Sequence, residues 1–154
     1  MKPTLLLYDA PGFGVGEVWL ERGRVFYAEL PRPKQVSDTL KVSDTGLGLR
    51  LTEFFAGADD DFADVRLRLP DGFHGRCARA LRKIRRGEVV TYGELAALAG
   101  YPGAARAAGT FCGRCSLSPF VPTHRVVGAD GIGSYGELGV DYKRRLLALE
   151  GVHL

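Results

Sequence analysis

The sequence predicts a small α/β N-terminal domain over residues 1–65, followed by a mainly helical C-terminal domain over residues 66–154 that contains a helix-turn-helix. Three observations carry that expectation. Two runs of alternating character, Glu17–Glu21 and Arg24–Glu29, are joined by Arg22-Gly23, a pair suited to a tight hairpin. Apolar residues recur at helical spacing on both sides of the acidic run Asp59-Asp60-Asp61, which places the boundary in or just after that run. Further on, Thr91 stands as a helix cap ahead of Glu94, and Gly100-Tyr101-Pro102 separates that helix from an alanine-rich one.

In chain order, Thr4–Tyr8, Glu17–Glu21 and Arg24–Glu29 read as strands of one antiparallel unit. Gly12, Gly14 and Gly16 in the intervening GFGVG resemble a phosphate loop only in their glycines. No Lys-Ser or Lys-Thr follows and no helical pattern begins there, so the segment reads as a strand-connecting loop. Leu47, Leu51, Phe54 and Phe55 share one face of a helix that stops near Gly57, and the aspartates after it form an exposed connector. Phe73, Cys77, Leu81 and Ile84 then mark an amphipathic helix ending before Gly87, which makes Cys77 a core residue. Thr91 caps a short helix carrying Glu94, Leu95 and Leu98, and Ala104–Thr110 forms the second helix of the pair. That second helix, with Ala104, Ala105, Ala107, Ala108 and Gly109, has few side chains able to read base edges. Its small residues suit a close, sequence-tolerant approach to DNA.

With 45% hydrophobic and 25% charged residues, 154 residues can bury one full core, or one main core plus a small second domain. No N-terminal stretch has the layout of a signal peptide, and no apolar run approaches the roughly 20 residues that cross a bilayer. The expectation is a cytoplasmic, monomeric protein with no membrane partner, nucleoid-associated when bound to DNA. Cys77, Cys112 and Cys115 are an odd number, which argues against a disulfide framework. The net charge of +3 is unevenly spread: residues 1–65 carry net −4, residues 66–110 net +6 and residues 111–154 net +1. A basic middle segment suits a nucleic-acid surface, although Arg82, Lys83, Arg85 and Arg86 read equally as a solvated helix face.

Specific residues then point to one family. The run Gly87–Ala96, the segment Ala104-Ala105-Arg106-Ala107, the stretch Pro122–Val127, Tyr135 and Glu150-Gly151 together resemble, in order and spacing, the signature of the O6-alkylguanine-DNA alkyltransferases, the methylated-DNA-protein-cysteine methyltransferase family. Members lift a damaged guanine from duplex DNA and move its alkyl group onto a cysteine. The resemblance covers about 70 residues and implies an alkyltransferase-like fold whose helix-turn-helix enters the minor groove. It also implies DNA-binding roles for Tyr92, Ala104, Ala105, Arg106 and Gly109, with Arg106 taking the place of the extruded nucleotide. Tyr92, Pro122, Thr123, His124, Val126 and Tyr135 would line the base pocket. Tyr92 and His124 also admit readings as core residues, and Arg106 as a phosphate contact. Arg125 is expected to bond backbone carbonyls near the site.

The chain departs from that signature at two positions. Thr123 stands where the family carries its acceptor cysteine, and a threonine hydroxyl is a poor nucleophile without an activating base. His124 and Glu150, which resemble the family's proton-relaying pair, are retained. Cys115 replaces the asparagine that braces the turn after the recognition helix. The combination is similar to the alkyltransferase-like proteins, which lack the cysteine, bind O6-alkylguanine and hand the lesion to nucleotide excision repair. The expected partners are therefore double-stranded DNA containing alkylated guanine and nucleotide excision repair proteins, with Thr123, His124 and Glu150 a degenerate catalytic site. The alternative is an enzyme that still transfers alkyl groups through Cys115, or uses a water activated by His124. No cofactor or metal is expected, since Cys112-Gly113-Arg114-Cys115 has no second ligand pair. An architectural binder that bends DNA regardless of damage is a third reading.

Overall fold

The computed structural model describes residues 2–34, 36 and 40–154. Two compact units are present, one formed by residues up to Arg68 together with Ser116–Pro119, the other by Leu69–Cys115 and Phe120–Leu154. The small α/β part and the mainly helical part with a helix-turn-helix, expected from the sequence, are both observed.

In the first unit, β1 (Thr4–Ala10), β2 (Gly14–Glu21) and β3 (Arg24–Arg32) form an antiparallel sheet in that order. Arg22 and Gly23 both adopt positive φ, 53° and 76°, which gives the β2–β3 hairpin the twist that matches its strands. Helix α1 (Gly46–Phe55) buries Leu51, Phe54 and Phe55, and Phe55 stacks on Tyr8 of β1 with ring centroids 5.9 Å apart. The GFGVG stretch is not simply a loop: Gly14 and Gly16 lie inside β2. Packing explains the glycines. A Cβ at Gly16 would stand 2.2 Å from the Tyr8 ring, and one at Gly14 would stand 2.1 Å from the Arg32 carbonyl carbon.

The aspartate run is also more than an exposed connector. Arg50 of α1 reaches Asp60 through Nε at 2.8 Å and Asp64 through Nη2 at 2.8 Å, and its guanidinium lies 5.3 Å from the centroid of the buried Phe62 ring. The Asp60 and Asp61 carboxylates accept from the amides of Phe62 and Ala63. These acids neutralise an arginine and hold a turn, rather than merely repelling one another.

In the second unit, α2 (Phe73–Leu81) buries Cys77, Ala78 and Leu81, ending a turn earlier than the apolar spacing through Ile84 predicts. Strand β4 (Val90–Thr91) leads into α3 (Tyr92–Leu98) through a complete capping box. The Glu94 amide donates to Thr91 Oγ1 at 3.1 Å, and the Thr91 amide donates to Glu94 Oε1 at 2.9 Å. Such a box satisfies two amide donors that the start of a helix otherwise leaves without partners. Helix α4 (Ala105–Arg114) runs one turn beyond the expected Thr110, because Phe111, 3% exposed and edge-on to His74 of α2, gives that turn an apolar anchor. A 3-10 turn (Thr123–Arg125), β5 (Val126–Val127) and α5 (Val140–Leu149) complete the unit. β4 and β5 pair in parallel, Val90 with Val126 and Thr91 with Val127, so the start of α3 lies beside the exit of the 3-10 turn.

Candidate nucleic-acid interface and base site

The α3–turn–α4 unit carries the residues expected at DNA, of which Tyr92, Ala104 and Gly109 are half-buried. Ala104 is the residue before α4, Ala105 and Arg106 are exposed in its first turn, and Gly109 lies one turn on. A Cβ at Gly109 would stand 3.9 Å from Tyr92 Cδ1, so the helix approaches that tyrosine closely. Arg82 and Arg86 do not form a bare cationic comb. Arg82 Nε donates to the Phe120 carbonyl at 3.3 Å, and Arg86 donates to the Leu149 carbonyl. Lys83 and Arg85 are exposed.

Thr123, His124 and Arg125 share a buried 3-10 turn, with exposures of 4%, 1% and 4%. Thr123 Oγ1 and the Tyr135 hydroxyl are 3.1 Å apart, within hydrogen-bond distance. The next side chain along, His124, places Nε2 at 2.9 Å from Glu150 Oε2. Burial lowers the His124 pKa against the opposing pull of Glu150, so the imidazole is neutral near pH 7. A neutral ring facing a carboxylate must donate, which fixes the Nε2–H tautomer.

Glu150 is shared with Arg125, which the sequence assigned only to backbone carbonyls. Arg125 Nη1 does donate to the Ile84 carbonyl at 2.7 Å, but Nε and Nη2 grip Glu150 Oε1 and Oε2 at 2.9 and 2.8 Å. Burial alone would raise the Glu150 pKa. Hydrogen bonds from His124 and Arg125 outweigh burial and hold the carboxyl at about 2. Glu150 is therefore a permanent anion that orients an imidazole on one side and neutralises a guanidinium on the other.

Sequence reasoning missed Lys143. It is 1% exposed, donates from Nζ to the Ser134 carbonyl at 3.2 Å, and lies 5.9 and 5.8 Å from the ring centroids of Tyr92 and Tyr135. Burial lowers its pKa to about 8. Lys143-Arg144-Arg145 looks like a solvated basic run, which hid it. The available signal was spacing: Lys143, Leu146, Leu147 and Glu150 fall on one helical face, and all four are buried. Lys143 thus joins Tyr92 to Tyr135 and, through the latter's hydroxyl, to Thr123.

The cysteines divide. Cys112 lies on the last turn of α4, and burial pushes its thiol up to about 12, which disfavours the thiolate. Cys115 is the residue that ends α4, its amide donating to the Phe111 carbonyl at 2.9 Å. Pro122 and Val126 are both buried, on either side of the 3-10 turn.

The chain is similar in sequence and in fold to known proteins. Residues 72–152 match the family model described as 6-O-methylguanine DNA methyltransferase, DNA binding domain. A methylated-DNA--protein-cysteine methyltransferase of Metallosphaera sedula is 39% identical over 71% of the chain and 69% of the relative. The Mycolicibacterium paratuberculosis protein of the same name is 45% identical over 68% of the chain, which spans only 63% of that relative. Among solved structures, the Mycobacterium tuberculosis O6-methylguanine methyltransferase superposes with a TM-score of 0.76 at 33% identity, covering 97% of this chain and 93% of that one. A second Mycobacterium tuberculosis structure, in complex with DNA, gives 0.76 at 35% identity over 95% and 91% of the two chains.

Proposed function

Since the chain belongs to the 6-O-methylguanine DNA methyltransferase family, we propose that it binds duplex DNA at alkylated guanine and holds the everted base around Thr123 without passing the alkyl group to a cysteine there. The α3–α4 pair docks on the DNA, the small residues of α4 allow close approach, and Arg106 fills the gap left in the base stack. Tyr92, Pro122, Thr123, His124, Val126 and Tyr135 receive the base. The held lesion is then handed to nucleotide excision repair.

One observation carries this reading. The turn at Thr123–Arg125 is buried and tied to a permanent Glu150 anion, yet the side chain at its head is an alcohol within hydrogen-bond distance of a phenol. Alcohols and phenols ionise well above neutral pH, so this pair supplies no ready nucleophile for an SN2 attack on an alkyl carbon. Support for the recognition half comes from the buried His124–Glu150–Arg125 network, which keeps the turn rigid whether or not transfer follows.

The test is a single incubation with an O6-methylguanine duplex, read by binding and by intact protein mass. The expected result is tighter binding than to the unmodified duplex, an unchanged protein mass and a lesion that persists. Arg106→Ala should abolish that preference for the lesion. Stoichiometric methylation would overturn the reading and favour transfer through Cys115; lesion loss without protein methylation would favour hydrolysis by a His124-activated water. Equal binding of damaged and intact duplexes would favour an architectural binder.

A further inference from the structure

All three cysteines are thiols, and two of them share the end of α4. Cys112 lies in its last turn, and Cys115, three positions on, ends it with its amide still in helical register on the Phe111 carbonyl at 2.9 Å. Residues three apart on an α-helix have Cα atoms about 5 Å apart, inside the range that a disulfide spans. They also share a face, and helical side chains lean toward the N-terminus, so Cys115 is directed back over Cys112. The remaining approach of the two Cβ atoms falls on Cys115, whose ψ of 125° has already left the helix, so no turn beyond it has to unwind. Cys77 is buried in α2, whereas Cys112 and Cys115 are half-buried. The face of α4 that carries Cys112 lies against Tyr92: a Cβ at Gly109, one turn earlier, would stand 3.9 Å from Tyr92 Cδ1, and a charge on Cys112 is felt by both Tyr92 and Lys143.

We propose that Cys112 and Cys115 close a reversible disulfide on exposure to a hydroperoxide, and that closure draws the Cys112 sulfur away from Tyr92 and lowers the preference for the lesion. The second half rests on the reading that Tyr92 helps to receive the everted base. Cys115 starts the reaction, because burial holds Cys112 as the neutral thiol. The Cys115 thiolate attacks the outer oxygen of the hydroperoxide: an S–O bond forms, the O–O bond breaks, and an alcohol departs, or water when the oxidant is hydrogen peroxide. The Cys112 sulfur then attacks the sulfur of that sulfenic acid. The S–S bond forms, the S–O bond breaks, and the hydroxyl leaves as water with the Cys112 proton. Two thiols lose two electrons in all, and these reduce one peroxide. A dithiol reductant reverses the bond by exchange.

The full chain is reduced, exposed to hydrogen peroxide, and then denatured and alkylated with iodoacetamide. The reduced protein should take three labels and the oxidised protein one, on Cys77. Trypsin cuts after Arg114, between the two cysteines, so a Cys112–Cys115 bond should hold the two flanking peptides together until reductant is added. In duplex titrations the preference for O6-methylguanine over guanine should fall by about tenfold on oxidation, the scale of one lost contact, and return with dithiothreitol. Cys112→Ser and Cys115→Ser should each ignore peroxide. Three labels after peroxide, or a bond that includes Cys77, overturn the proposal. So does a lesion preference that a closed Cys112–Cys115 bond leaves unchanged, or one that peroxide still lowers in Cys115→Ser. All four leave the lesion-binding reading standing. If the reduced wild type does not distinguish the two duplexes, that reading falls, and this proposal with it.

Discussion

Lys143→Met should stabilise the protein at neutral pH, and the gain should vanish in alkali. Lys143 is 1% exposed, and burial drops its pKa from 10.5 to about 8. At about 1.4 kcal/mol per pH unit, holding the charge in the folded state costs about 3 kcal/mol near pH 7. Methionine keeps the apolar stem but ends one atom short of the ammonium, carries no charge and gives up the bond to the Ser134 carbonyl and the cation's contacts with two aromatic faces, together about 1 kcal/mol. The expected net gain is about 2 kcal/mol. The sign of the pH dependence follows from the depressed pKa. Between pH 8 and 10.5 the unfolded chain binds a proton that the folded chain does not, so the wild type gains stability as pH rises while the variant lacks that gain. Tyr92 and Cys112, whose pKa values are raised, titrate in both proteins and largely cancel in the difference. Urea unfolding of both proteins at pH 7 and pH 10.5 measures it. A variant less stable at pH 7, or a gap that does not change with pH, would refute the argument that Lys143 is a buried, uncompensated cation.

Glu150→Gln should destabilise the protein by about 3 kcal/mol or more in urea unfolding at pH 7, because it leaves the Arg125 guanidinium buried without its anion. The same carboxyl, held at about 2, contributes stability that is fully present above pH 4.5 and lost as pH falls toward 2; an acid titration of the variant should be flatter in that window. Arg50→Ala should cost about 1–2 kcal/mol by removing the clamp on Asp60 and Asp64, and limited proteolysis should then cut within residues 57–64 first. Thr123→Cys, tested by intact mass after incubation with an O6-methylguanine duplex, should gain one methyl group at a rate well above that of the wild type.

The fold was legible where pattern and packing agree. Alternation in β2 and β3, the Arg22-Gly23 turn and the Thr91–Glu94 cap are local devices, and each survives in the folded chain because nothing tertiary opposes it. The glycines of GFGVG were harder, since their reason is the Tyr8 ring on the adjacent strand, a partner that the local pattern does not name. The end of α4 was missed for a similar reason: Phe111 earns its place by lying against His74 of α2. At the site, resemblance pointed to Thr123, Tyr135, His124 and Glu150, and the chain does bring these side chains together in hydrogen-bonded pairs. The shared use of Glu150 by Arg125, and the burial of Lys143, depend on which charge meets which across the fold. Composition does not say which carboxylate, if any, either cation meets.

The short stretch Ser116–Pro119 has a consequence for how the molecule can be divided. Although it follows α4 in sequence, it belongs to the first unit, where the Ser116 carbonyl accepts the Ala28 amide of β3 at 2.7 Å. A ribosome that has released the first 68 residues has therefore not yet delivered everything the amino-terminal body is made of; the last piece arrives some fifty residues later. No single cleavage point yields two intact halves, and swapping the front portion between relatives would require transplanting this inserted tetrapeptide as well.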